Sequence, residues 1–392
     1  MPLEFLGPLV GWPLMLLVAW VAGEWLFNRT GTPRVCAYGV VGLAFGGSGL
    51  SQAGAAQVAM GFLAEFALSL TLFELGYRIN PRWFRHNPWV LAAGLFQAAL
   101  IFGAVLWAGD AFGLPFEQAL VLAALCVATS PAGVMRVTQE LRSAGQATER
   151  LLHLCALSCL LAVLLLKLVA GYLQLHTTAD IPRAAFDSVY VIALSLVAGA
   201  LFGALVPWLG RIATDSHSAT VTFAMLVLLL TGASLALHLS PLLAALAFGA
   251  VARERRVVLS PAQRNFGTLG HLLGVFLFVY IGTLLPWRGL FAGLLFSVAV
   301  LALRTGAHTL VNVGIARISG TTFAKGALAG VALMPMSAFA LLLLEESRLL
   351  GLDLAAASLP AIAGLLVLLE VLGPLATRHA LRLAGEAHPS EG

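Results

Sequence analysis

The chain has 392 residues, 60% of them hydrophobic and only 10% charged, with a net charge of +4 and a mean hydropathy of +0.95. A soluble domain carries roughly 25% charged residues, so these values exclude a soluble globular protein and point to an integral membrane protein without a soluble domain. The positive charge is almost all arginine, since Lys167 and Lys325 are the only lysines, and no nucleic-acid partner is expected.

A membrane helix needs about 20 apolar residues. On that rule the chain predicts an all-α polytopic protein of about thirteen spans. In order they are Gly7–Phe27, Pro33–Leu50, Gln57–Tyr77, Pro88–Gly109, Pro115–Val137, Leu151–Leu173 and Ala185–Leu209. Then follow Ser218–His238, a short Ser240–Ala252, Phe266–Pro286, Gly289–Val313, Lys325–Glu345 and Ala357–Leu381. The start lacks the basic stretch and small-residue site of a cleavable signal peptide. The connections are short, so residues 1–386 read as one transmembrane domain and 387–392 as a short cytoplasmic tail.

Basic residues mark the cytoplasmic loops. With the N-terminus outside, seventeen of the 22 Lys and Arg residues fall on inner loops and three (Arg183, Arg288 and Arg348) on outer ones. Lys167 and Arg304 fall within spans. The asymmetry supports an odd number of spans, the C-terminus in the cytoplasm and a bacterial-type inner membrane. All four cysteines lie in apolar segments, which excludes a secreted disulfide framework. Cys155 and Cys159 share a helix face and read as small buried apolar residues.

Two spans are interrupted. Thr129, Ser130 and Pro131 sit within the fifth, and Met334, Pro335, Met336 and Ser337 within the twelfth. Proline removes a backbone donor and clashes with the carbonyl four residues back. In hydrocarbon the freed groups must be met by protein, water or an ion. A pair of interrupted spans in corresponding places of two halves is the sequence pointer to a transporter's midplane site.

Charges at membrane depth are rare and tend to be functional. Here they are Glu65, Glu74, Lys167, Arg304 and Glu370; no aspartate lies in mid-span. Glu65 and Glu74 are nine residues apart and do not share one helix face. Glu74 is set for an i,i+4 ion pair with Arg78. Glu65 is deeper, and both a helix-contact hydrogen bond and a proton-carrying role stay open for it. Lys167 is placed to snorkel toward the outer surface. Arg304 is too deep for that and needs a protein partner, either carbonyls at a helix break or a glutamate. Glu370 reads as a buried structural acceptor. The histidines show no metal-ligand spacing, no cofactor is expected, and nothing suggests an enzyme.

Several stretches together resemble the second cation:proton antiporter family, of the sodium/hydrogen exchanger type. "LVLAALCVATSPAGVMRVTQEL" (Leu120 to Leu141) is similar to the family's first broken helix, and "GQATERLLHLCALSCLLAVLLL" (Gly145 to Leu166) to the helix that follows. "LTLFELGYRIN" (Leu70 to Asn80) is similar to the end of the third span, and "VLLEVLGPLATRHALRLAGE" (Val367 to Glu386) to the last. The resemblance implies inverted repeats, two crossed discontinuous helices, a dimerising panel and exchange of a monovalent cation for protons by alternating access. It places Thr129, Ser130, Pro131, Pro335 and Ser337 in the broken helices, and it implies a homodimer in the lipid bilayer. No nucleotide-binding module is expected after the last span.

One departure stands out. The family's sixth span carries an aspartate for the cation or proton, and the matching positions here are Ser158 and Cys159. Arg304 resembles the basic residue some members pair with that acid. Three readings stay open. In the first the protein is an antiporter, of Na+ or K+ against H+, whose proton carrier has moved to Glu65 or Glu74. In the second it carries another solute, such as an anion drawn by Arg304. In the third it is a non-transporting member with a signalling or scaffold role.

Overall fold

The structure, a computed structural model, describes residues 3–46, 54–79, 87–178, 181–209, 216–255, 266–285, 293–336, 339–344 and 354–387. Among the described residues every regular element is a helix. The first seven are α1 (Leu3–Thr30), α2 (Arg34–Gly46), α3 (Gly54–Arg78), α4 (Pro88–Ala111), α5 (Phe116–Cys126), α6 (Pro131–Glu140) and α7 (Gln146–Thr178). Next come α8 (Ile181–Leu209), α9 (Ser216–Ala236), α10 (Pro241–Glu254), α11 (Gly267–Leu284), α12 (Leu294–Ile315) and α13 (Phe323–Ala332). Helix α14 covers 339–344, and α15 (Leu354–Leu383) closes the chain.

Nine spans are long and apolar enough to cross a membrane among the described residues, with α5 and α6 counting as one. Helices α2 and α13 and the apolar part of α9 are shorter. The thirteen spans read from the sequence therefore correspond to elements in order, but the count itself does not follow from helix length alone.

The helices sort into two bundles. A core gathers α4, α5, α6, α7, α12, α13 and α15, and a panel gathers α1, α2, α3, α8, α9, α10 and α11. They meet where α3 lies on α6 and α7, α8 and α10 on α7, and α2 on α15. Contacts also repeat between the halves: α3 packs on α10 as α11 packs on α2, α4 on α5 as α12 on α13, and α5 on α15 as α13 on α7.

Glycine explains the closest of these approaches, since small residues let helix backbones meet in a membrane. A Cβ on Gly282 of α11 would lie 2.7 Å from Leu43 N and 2.8 Å from the Gly42 Cα of α2. Gly314 on α12 has nothing within 4 Å of that position. Gly282→Ala is expected to destabilise the solubilised protein by about 1–3 kcal/mol through overpacking. Gly314→Ala should leave its melting temperature unchanged or raise it slightly, because alanine favours the helix. Equal melting curves for the two variants would contradict this packing.

Lys167 departs from the sequence reading. It is 5% exposed and partnered within the protein, rather than reaching for the membrane surface. The reason is the position of α7, which α4, α5, α6, α8 and α13 surround. Glu370, on α15, is buried against Gly39 of α2.

Candidate functional site

The two breaks meet. Helix α5 ends at Cys126 and α6 begins at Pro131, with Ser130 as its N-cap: the Ser130 hydroxyl accepts from Gly133 N at 3.4 Å. Helix α13 ends at Ala332, and residues 333–336 are non-helical. Ser130 N donates to Pro335 O at 2.7 Å, and the Thr129 hydroxyl donates to Leu333 O at 3.4 Å. The Thr377 hydroxyl of α15 donates to Ala332 O at 2.8 Å. Ser337 lies outside the described residues.

Arg304 is the centre of the crossing. Its side chain, on α12, is 0% exposed. Nε donates to Cys126 O at 2.8 Å, Nη1 to Met334 O at 2.6 Å, and Nη2 to Ala128 O at 2.5 Å and Leu333 O at 3.3 Å. All four acceptors are carbonyls at the C-terminal ends of the half-helices α5 and α13. Such ends carry orphan carbonyls and partial negative charge. The guanidinium, with five donors in a planar fork, satisfies both ends at once. Of the two partners the sequence left open, the carbonyls are the ones found. Among the described residues no carboxylate is bonded to Arg304.

The positions that match the family's acid lie beside the first break. Cys159 Sγ donates to Thr129 O at 3.2 Å, and Cys155 Sγ approaches the same oxygen at 3.9 Å. Ser158 turns its hydroxyl to its own helix, donating to Cys155 O at 2.8 Å. The structure thus brings Thr129, Ser130, Pro131, Cys159, Arg304 and Pro335 together, with Ser158 next to them on α7.

Glu74 of α3 is engaged away from this cluster. Glu74 accepts from Arg78 Nη2 at 3.0 Å, in the i,i+4 pair read from the sequence, and from Gln139 Nε2 at 2.8 and 3.0 Å. Gln139 belongs to α6, so this network ties panel to core. Beside it Arg34 of α2 pairs with Glu24 at 2.7 Å and reaches Glu140 of α6 at 3.6 Å. Glu65, also on α3, is 8% exposed. Neither Glu65 nor Glu74 is bonded to Arg304.

One group escaped the sequence reading. His308 and Asn312 follow Arg304 at four-residue steps on α12, and the His308 Nδ1 meets Gln97 Oε1 of α4 at 2.9 Å. The four-residue spacing was the available signal. Cys155, read from the sequence as a small buried residue, is 0% exposed and also turns its sulfur to the crossing.

Two interrupted helices crossing inside one bundle, with a second bundle packed beside it, define a secondary transporter rather than an enzyme. The profile described as "Sodium/hydrogen exchanger, transmembrane" matches residues 14–383, and the chain belongs to that family. It is 25% identical over 382 residues to the iron transporter MagA of Paramagnetospirillum magneticum, across 95% of this chain and 86% of that protein. Its fold is similar to that of the sodium proton antiporter MjNhaP1 from Methanocaldococcus jannaschii at pH 8. That match has a TM-score of 0.67 at 16% identity and covers 97% of this chain and 96% of the other.

Proposed function

We propose that the protein exchanges a monovalent cation for protons by alternating access, as a homodimer in a bacterial-type inner membrane with its N-terminus outside. The observation that carries this reading is the pair of broken helices crossing at Arg304, in a chain of the exchanger family. Thr129, Ser130, Pro131, Ser158, Cys159, Arg304, Pro335 and Ser337 are proposed to line the ion path. Glu65 is the proposed proton relay on α3. Glu74 sits at the seam between panel and core, where the same path would open and close.

The anion reading loses support from the geometry. Four of the five guanidinium donors of Arg304 are engaged by carbonyls, so little of the group is left to meet an anion. The name of the MagA relative offers iron as a further cation to test.

The test uses proteoliposomes with an acid interior and a pH-sensitive dye. Sodium, lithium, potassium, silver and ferrous iron are added in turn. Proton efflux that depends on a cation, and that Glu65→Gln reduces by about tenfold or more in line with a general acid–base role, is the expected result. No efflux with any cation, from protein shown to be folded, would overturn the reading in favour of a silent scaffold.

A further inference from the structure

Where the family resemblance expects a carboxylate, this chain holds thiols. Cys155 and Cys159 are four residues apart on α7 and so project from one face. Both are buried, at 0% and 1% exposed. Their sulfurs point at one oxygen, the carbonyl of Thr129, at 3.9 and 3.2 Å. That oxygen is one residue from Ala128, whose own carbonyl is held by Arg304.

We infer that Cys155 and Cys159 bind one soft monovalent cation, of the copper(I) or silver(I) class, at the helix crossing. This deepens the antiport reading and rests on it for the direction of transport only. Three arguments lead there.

The first is donor chemistry. Thiolates select soft cations, whereas hard cations take oxygen cages. The carbonyls that might form such a cage, those of Cys126, Ala128, Leu333 and Met334, already accept from Arg304. The Ser158 hydroxyl is turned to its own helix. Two sulfurs, facing the Thr129 carbonyl, are the soft donors the crossing has left to offer.

The second is coordination number. Among the described residues no group of three or more His, Cys, Asp or Glu is placed to hold a metal. Zinc in proteins is almost always four-coordinate, so a two-sulfur site does not suit it. Filled-shell soft monovalent ions accept two sulfurs in a line.

The third is charge. A bare cation beside neutral thiols would add a second buried positive charge to that of Arg304, which is strongly unfavourable. Binding by thiolates avoids this, because ligands must lose their protons to bind. The balance is M+ + 2 RSH → [RS–M–SR]− + 2 H+, with no change of oxidation state. The anionic bis-thiolate is then neutralised by Arg304, which lies within electrostatic reach of Cys155. Loading with one cation releases two protons, so the site itself couples cation to proton, and Glu65 keeps the relay role proposed above.

The experiment is a silver titration of the full-length, reduced protein in detergent, weakly buffered so that released protons are counted. We expect one silver ion bound per chain in the presence of excess sodium and potassium, two protons released, and two sulfur neighbours in the silver X-ray absorption spectrum. Cys155→Ser and Cys159→Ser should each weaken binding about 100-fold or more, the upper range for loss of metal-site support. Cys36→Ser, which alters a thiol bonded to Val371 O of α15, should not. If the serine variants fail to fold, the absorption spectrum of the parent protein decides alone. Oxygen neighbours, absent proton release, or unchanged binding in the folded double variant would overturn the inference. Sodium-driven or potassium-driven proton flux without silver binding would overturn it too, yet leave the antiport reading standing. Silver bound at the thiols, with no proton flux driven by any cation in liposomes, would support the site and remove the transport reading.

Discussion

Arg304→Met is expected to be the most damaging single substitution in the core. It keeps the apolar stem and removes every donor, so Cys126 O, Ala128 O, Leu333 O and Met334 O lose the partner described above. A buried group left without its hydrogen bond costs about 1–3 kcal/mol. Four such groups, even partly relieved by water, should cost at least about 4 kcal/mol. That is most of the stability of a protein near the lower end of the usual range of about 5–15 kcal/mol. The measurement is fluorescence size-exclusion of the solubilised variant with a melting curve. Arg304→Lys should fall between parent and Met, because an ammonium keeps the charge but lacks the planar fork. A methionine variant as stable as the parent would show that the two breaks hold without the guanidinium.

Glu386 is the second position where a large loss is expected. Just beyond α15, it is 3% exposed. Its carboxylate caps the start of α7, accepting from Ala147 N at 2.9 Å, Thr148 N at 2.8 Å and the Thr148 hydroxyl at 2.9 Å. Lys325 of α13 donates to it at 3.0 Å. Gly145 leaves the room, since a Cβ there would lie 2.6 Å from the Glu386 Cγ. Burial works against the charge, but the two backbone N–H groups, Lys325 and the Thr148 hydroxyl outweigh it and hold the carboxyl below its ordinary value. The sign follows. The unfolded chain takes up the proton first as pH falls, so the stabilisation is complete above the usual carboxylate range. It declines as pH drops below about 4.5, the ordinary value, and is gone once the folded carboxyl is protonated. Glu386→Ala should cost about 3 kcal/mol at neutral pH, combining a lost cap with lost charge-assisted bonds. Glu386→Gln should flatten the acid limb of the melting temperature. An unchanged acid limb in that variant would show that Glu386 stays charged, or neutral, in both states.

Much of the crossing was legible from local signals. Pro131 and Pro335 cannot donate to a helix, and each interrupts one where the sequence places it. The depth of Arg304 required a protein partner, and the broken helices supplied one. The Glu74–Arg78 pair follows from its spacing alone. What stayed hidden depends on contacts between distant segments. Lys167 was misread because its distance along α7 from the outer end says nothing of the helices that enclose it. Glu386 caps a helix that begins 240 residues earlier, and only the folded chain puts the two together. Cys155 is buried, as expected of a small apolar residue, but what its sulfur faces, the Thr129 carbonyl, shows only in the folded chain.

The bonds of Arg304 also bear on how the protein is made. The carbonyls of Cys126 and Ala128 are synthesised and threaded into the bilayer long before residue 304 leaves the ribosome. Until then the first interrupted helix has no guanidinium, and its ends must borrow water or the insertion machinery for donors. The first repeat therefore cannot reach its final form as an independent unit. Maturation of the crossing is a late event in biogenesis that waits for the second repeat, and truncation anywhere before α12 strands an unfinished half in the membrane for quality control to remove.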